Sequence, residues 1–146
     1  MEVDQMSQTD SFDAWLQQFT YLSEEETSAL IEWQRPIAFV HQFIVSTAND
    51  GAGSLFYNHP ECVEAVALSL AEIGEAEIEQ KIRAIECILE PYIEAGSPDP
   101  QLDILEQIQD GAAETPANEL TSLVNDRWSI LYSKLEGKAR AHGWKP

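Results

Sequence analysis

Asn49-Asp50-Gly51-Ala52-Gly53-Ser54-Leu55-Phe56-Tyr57-Asn58 is the sharpest break in a chain otherwise patterned for helices. Two glycines and an Asn-Asp pair oppose a regular element there. Gly51 and Gly53 take φ > 0 freely or let another segment come close, and Asn and Asp side chains bond to nearby amides. Leu55, Phe56 and Tyr57 follow at once and need burial. The stretch therefore predicts a reversal between two helices, with its aromatic rings plugged into a core. A functional loop lining a site is the alternative reading.

Working outward, residues 37–44 (Ile37, Phe39, Val40, Phe43 and Ile44 among them) are apolar around much of a helix, which predicts a central core helix ending near Ala48. Upstream, Ser23-Glu24-Glu25-Glu26 is a capping box, and its helix is expected to carry Leu30 and Trp33 as far as Pro36. Pro36 either kinks that helix or opens a second segment. Thr9 or Ser11 caps a first helix with Phe12, Trp15, Leu16 and Phe19 at helical spacing, and residues 1–8 read as a flexible end. Downstream, Pro60 opens a helix whose stripe of Val63, Val66, Ala67, Leu70 and Ile73 stops at Gly74. Glu75 to Glu94 forms the next helix, with Ile78, Ile82, Ile85, Leu89 and Tyr92 inward and Pro91 distorting the last turn. After a 96–100 loop, a short helix over 101–110 points Leu102, Leu105 and Ile108 inward. Thr115-Pro116 opens one last long helix through Leu120, Leu123, Val124, Trp128, Leu131 and Leu135. No segment alternates like a strand and no long repeat appears. The expectation is all-α: a single-domain bundle of about six to seven helices over residues 9–146.

Composition bounds the function. The chain has 146 residues, 44 % of them hydrophobic, enough for a sizeable core. Its formal net charge is −18, from 26 acids and 8 bases, against a magnitude of roughly 2–8 for designed soluble domains. Such self-repulsion opposes compactness, disfavours direct contact with nucleic acid or an anionic membrane, and favours a basic partner. The charge is also uneven: residues 1–126 hold 25 acids and 3 bases, while Arg127, Lys134, Lys138, Arg140 and Lys145 face Glu136 alone in the last twenty residues. Those bases suit a helix C-terminus, an internal clamp on the acidic body, or a second subunit. The start shows no basic-then-apolar leader and no run is long enough to span a bilayer. A cytoplasmic protein with two buried free thiols, Cys62 and Cys87, is expected.

Catalytic patterns are missing. There is no phosphate-binding glycine loop and no nucleophile elbow. His41, His59 and His142 fall in no metal-binding pair, so neither a metal nor a cofactor is expected and the chain reads as a non-enzyme. The acids do show order. Glu79, Glu86, Glu90 and Glu94 recur at spacings of 7, 4 and 4, forming one stripe on the 75–94 helix. Asp103, Glu106 and Asp110 repeat the arrangement on the next helix, and Glu72 and Glu75 extend the surface across Gly74. One carboxylate per turn is about one charge per 5.4 Å. A DNA strand carries one per roughly 3.4 Å, which two adjacent columns approach. A merely solvated face is the plainer alternative.

Asn49-Asp50-Gly51 with Leu55-Phe56-Tyr57-Asn58, and then Leu70-Ala71-Glu72-Ile73-Gly74, resembles the small bacterial family typified by the "DNA mimic protein". The resemblance covers roughly residues 23–140 and rests on Asn49, Gly51, Phe56, Tyr57, Asn58, Leu70, Ile73 and Gly74. Asp50, Ala52 and Ser69 stand where the family has glycine, phenylalanine and alanine. It implies an all-helical acidic protein, with a homodimer among the assemblies it allows. The founding member is named for occupying the DNA-binding surface of a regulator in place of DNA. Residues and resemblance together lead us to expect an acidic binding protein that covers the surface of a basic DNA-binding protein. Two alternatives stay open: an immunity-type inhibitor of a nuclease toxin, and a small hydrolase or metal-binding protein.

Overall fold

The computed structural model describes residues 11–94, 96 and 98–146. The flexible end expected over 1–8, the Thr9 cap and Ser97 of the 96–100 loop lie outside them. The described residues are all-helical, with no strand. In chain order they form α1 (11–17), α2 (Glu24–Ser28), α3 (Gln34–Asp50), α4 (Ser54–Asn58), a 3₁₀ turn (Pro60–Cys62), α5 (Val63–Glu72), α6 (Ala76–Glu94), α7 (Pro100–Asp110), α8 (Glu114–Asp126) and α9 (Trp128–Ala141). That is nine α-helices among the described residues rather than six or seven. The surplus has identifiable sources.

The Ser23 capping box closes as expected: Glu26 N–H donates to Ser23 Oγ at 3.0 Å, and Ser23 N–H donates to Glu26 Oε1 at 3.2 Å. The helix it starts ends at Ser28, so Leu30 and Trp33 belong to a turn instead. Pro36 then falls in the first turn of α3, where a missing N–H breaks no intrahelical bond. α3 is the axis of the fold, buried from Pro36 to Phe43 on nearly all sides and packed against α5, α8 and α9. The Asn49-Asp50 pair does not break it; both residues complete its last turn.

Gly51 makes the reversal at φ +84, a conformation that side chains with a Cβ resist. Ala52 is fully buried and its N–H donates to Thr121 Oγ1 of α8 at 2.9 Å. A Cβ on Gly53 would lie 2.5 Å from Ile108 Cγ2 of α7, so only glycine fits. The chain then re-enters a helix at once as α4, which buries Leu55 and Phe56 while Tyr57 packs half-buried against the core. The stretch is therefore a docked reversal plus one helical turn, and the sequence expectation of no regular element there is corrected.

The last long helix also divides. α8 ends at Asp126 and α9 begins at Trp128, with Arg127 between them at φ −101, ψ 8. No glycine or proline marks the joint. Arg127 instead sends its guanidinium to a carboxylate beyond the helix, which the sequence cannot show. Buried side chains from α1 and from α3 through α9 merge into one apolar cluster. On α7 the inward face is Ile104 and Ile108, not Leu102, which is 49 % exposed. Two residues of helix separate Leu102 from Ile104 by about 200°, so the two cannot share a face. Cys62 is buried as expected but Cys87 is exposed, and both are free thiols. No helix among the described residues is long and apolar enough to cross a membrane.

Candidate functional site

The nine carboxylates predicted as one surface divide into two environments. The first lies at the turn between α5 and α6. Gly74, at φ +82, donates to Ala71 O at 3.0 Å, and Glu75 N–H donates to Leu70 O at 2.8 Å, the paired bonds of a Schellman motif. That turn carries Glu75 inward until it is only 3 % exposed. Arg127 grips it with both ends of its fork, Nε to Oε1 at 2.6 Å and Nη2 to Oε2 at 2.7 Å. Lys134 of α9 donates to the same carboxylate and, at 3.3 Å, to Gly74 O. The Arg127 hydrogen bonds hold the Glu75 carboxyl below its ordinary range, against the opposing pull of burial, and Lys134 adds to the effect. Glu75 is therefore a structural group, and its place on a partner-binding surface is corrected. Glu72 beside it is exposed but meets Lys138 at 3.4 Å. The basic end of the chain is thus an internal clamp, completed by Arg140 on Glu136 at 3.0 Å.

The second environment runs along the outer half of α6 and onto α7. Arg83, four residues after Glu79, sits against the acidic stripe. It bonds Glu64 of α5 at 2.9 Å and Glu79 at 3.1 Å, and approaches Glu86 to 3.8 Å. Those bonds hold the Glu64 carboxyl down. Glu86 is pushed up instead, first by burial and then by repulsion from Glu64 and Glu90, with Arg83 opposing. Beyond Arg83 compensation stops. Among the described residues no ion pair reaches Glu90, Glu94, Asp103, Glu106 or Asp110. All of these but the half-buried Asp103 are exposed. α7 packs against α6, which places the two carboxylate-bearing helices side by side.

An open groove of about 470 Å³ follows this part of α6. Its apolar lining includes Phe56 of α4, Val63 of α5, Leu89 of α6 and Ile104 of α7, with Ile93 exposed at its edge. Glu86, Glu90 and Glu94 border it, and Cys87 opens into it. The sequence marks the acids but not the groove, because its walls come from five separate elements.

The motif residues of the opening stretch sit elsewhere or underneath. Phe56 is buried, and the Tyr57 carbonyl accepts from Gln101 Nε2 at 2.8 Å, tying α4 to α7. Asn58 is exposed at the end of α4. Asn49 and Asp50 line a second cavity of about 310 Å³ with His59 and Cys62. Burial, then Glu61 and Glu24, push the Cys62 thiol up to about 11, leaving it protonated at neutral pH and a weak nucleophile. His41 is buried within α3, with Thr20 Oγ1 at 3.0 Å from Nε2 and Tyr132 Oη at 3.4 Å from Nδ1, and burial lowers it to about 4. Among the described residues no group of three or more His, Cys, Asp or Glu side chains is placed to hold a metal ion. No family model, no curated protein and no solved structure matches the chain.

Proposed function

We propose that the chain is a non-enzymatic acidic binding protein, a DNA mimic that occupies the nucleic-acid-binding surface of a basic DNA-binding protein. One observation carries the reading: the charge is sorted. Among the described residues five of the eight bases lie on carboxylates, four of them at the Glu72–Glu75 turn and within α9 and one at the root of the α6 stripe. Among the described residues no cation meets the carboxylates of outer α6 and α7 beyond Arg83. Two helices side by side, each with a carboxylate about every 5.4 Å, approach the spacing of phosphates along a strand. Complementary fields make such association fast and salt-sensitive.

The test is affinity capture from the source cell followed by competition with duplex DNA. A basic DNA-binding protein should be recovered at low salt, released as salt rises, and displaced by DNA. A captured partner that still binds its DNA normally beside a stoichiometric amount of this chain would overturn the proposal. Recovery of a nuclease encoded next to the gene would assign the same surface to an immunity-type inhibitor.

A further inference from the structure

We propose that the groove beside α6 docks a basic amphipathic helix of the partner, which sets a bulky apolar side chain on the groove floor and lysines or arginines against its acidic rim. The inference rests on the proposed function and adds to it a shape: the partner is recognised by an apolar anchor as well as by charge. An opening of about 470 Å³ has room for such an anchor. Its floor is already apolar, and Ile93 stands 52 % exposed beside it, although water would disfavour that arrangement in a free surface.

The rim supplies the register. Glu86, Glu90 and Glu94 fall on successive turns, spanning about 12 Å along the axis, so basic side chains four residues apart on a docked helix meet them one to one. Among the described residues Glu90 and Glu94 have no cation of their own, and Arg83, the one base on the groove's lining, is already held by Glu64 and Glu79 and approaches Glu86. Other occupants fit the charge less well. Residues 1–10 carry Glu2, Asp4 and Asp10 and no base. A second copy brings another −18, and most of its basic segment is engaged on its own Glu72, Glu75 and Glu136.

Two synthetic peptides of equal length and charge test the inference on the whole chain, by fluorescence anisotropy at about 150 mM salt, where the Debye length is about 8 Å. One is a lysine–leucine helix of about 14 residues, or four turns; in the other serine replaces every leucine. Cys87 gives a way to fill the groove without touching the core. It is exposed and lines the groove, whereas Cys62 is buried with its thiol held protonated, so a bulky maleimide reaches Cys87 first. Mass spectrometry verifies the single adduct and a thermal melt verifies the fold. The leucine peptide should bind at least about tenfold tighter than the serine peptide, a difference of 1.4 kcal/mol. The Cys87 adduct should erase that advantage and leave the serine peptide within about twofold, because rim charge is unchanged. Equal binding of the two peptides would overturn the groove and leave the electrostatic reading standing. Binding of neither would remove both. A dimer in light scattering that the adduct dissociates would give the groove to a second copy.

Discussion

The two ends of α6 put the same residue type in opposite circumstances. Glu75, just before the helix, is buried and held by Arg127 and Lys134, while Glu90 and Glu94 near its far end face solvent with no cation among the described residues. The first is a fastener joining the α5–α6 turn to α9. The second contributes nothing visible to the fold. A formal charge of −18 therefore describes neither region: at one the chain has been neutralised by its own basic segment, and at the other it has not. Stability is concentrated in the apolar core and the clamp, which leaves the outer α6–α7 face open to selection for something else.

The largest effect tests whether that open face rests on a firm floor. Phe56 is 3 % exposed under the groove. Phe56→Ala should destabilise by about 3–5 kcal/mol through lost burial and the cavity left behind. Chemical denaturation measures it, and a loss under 1 kcal/mol, below the usual range for a core ring, would mean that the ring is not anchored there. Next comes the clamp. Arg127→Ala leaves the buried Glu75 with Lys134 alone and should lower stability measurably, by less than Phe56→Ala does. Glu90→Ala should stay within about 0.5 kcal/mol, as surface changes usually do. Comparable losses at the two sites would erase the contrast.

The extent to which this was readable follows from where the signals lie. The Ser23 capping box and the α5 stop at Gly74 depend on neighbours a few residues apart, and both were legible. So was the core stripe of α6, whose Ile78, Ile82, Ile85 and Leu89 are all buried. The Arg127 joint was not, because nothing local breaks the helix there; its side chain follows a carboxylate 52 positions away. Glu75 looked like one more acid of a solvent stripe for the same reason. Its burial depends on the Schellman turn and on two bases, Arg127 at the α8–α9 joint and Lys134 of α9, that fold back onto it. Spacing found the α6 carboxylates, but it could not find a groove assembled from α4, the 3₁₀ turn, α5, α6 and α7.

Acid separates the two regions by sign. Glu75 is lowered from its ordinary 4.5, so the stability it contributes is present above that value and is lost as pH falls through its lower folded pKa. Glu86 is raised, so its contribution is fully present below 4.5 and is lost as pH rises through its folded pKa. Stability should therefore climb modestly as pH falls through the raised Glu86 value toward 4.5, helped by easing self-repulsion, and then drop as pH falls below 4.5 through the lowered Glu75 value. Glu86→Gln should flatten the climb and Arg127→Ala should blunt the drop, both read from denaturation midpoints across pH. A curve that falls steadily from neutral pH would place the dominant titration elsewhere.

The smallest effect on stability should accompany the largest effect on binding. Replacing Glu90, Glu94 and Glu106 together by glutamine removes three exposed charges that no cation of the described residues meets. Folding should change by less than about 0.5 kcal/mol, and toward greater stability, since like charges are being taken from a chain that repels itself. Association with the basic partner should slow and its salt dependence should weaken, because rim charges act mainly on the rate of encounter. The same three substitutions placed at Glu72, Glu75 and Glu136 should reverse the pattern, with the fold weakened and encounter little altered. The two triple variants remove equal formal charge, so a difference between them can come only from where the charge sits. If both slowed binding equally, net charge alone would govern recognition and the sorted surface would have no role in it.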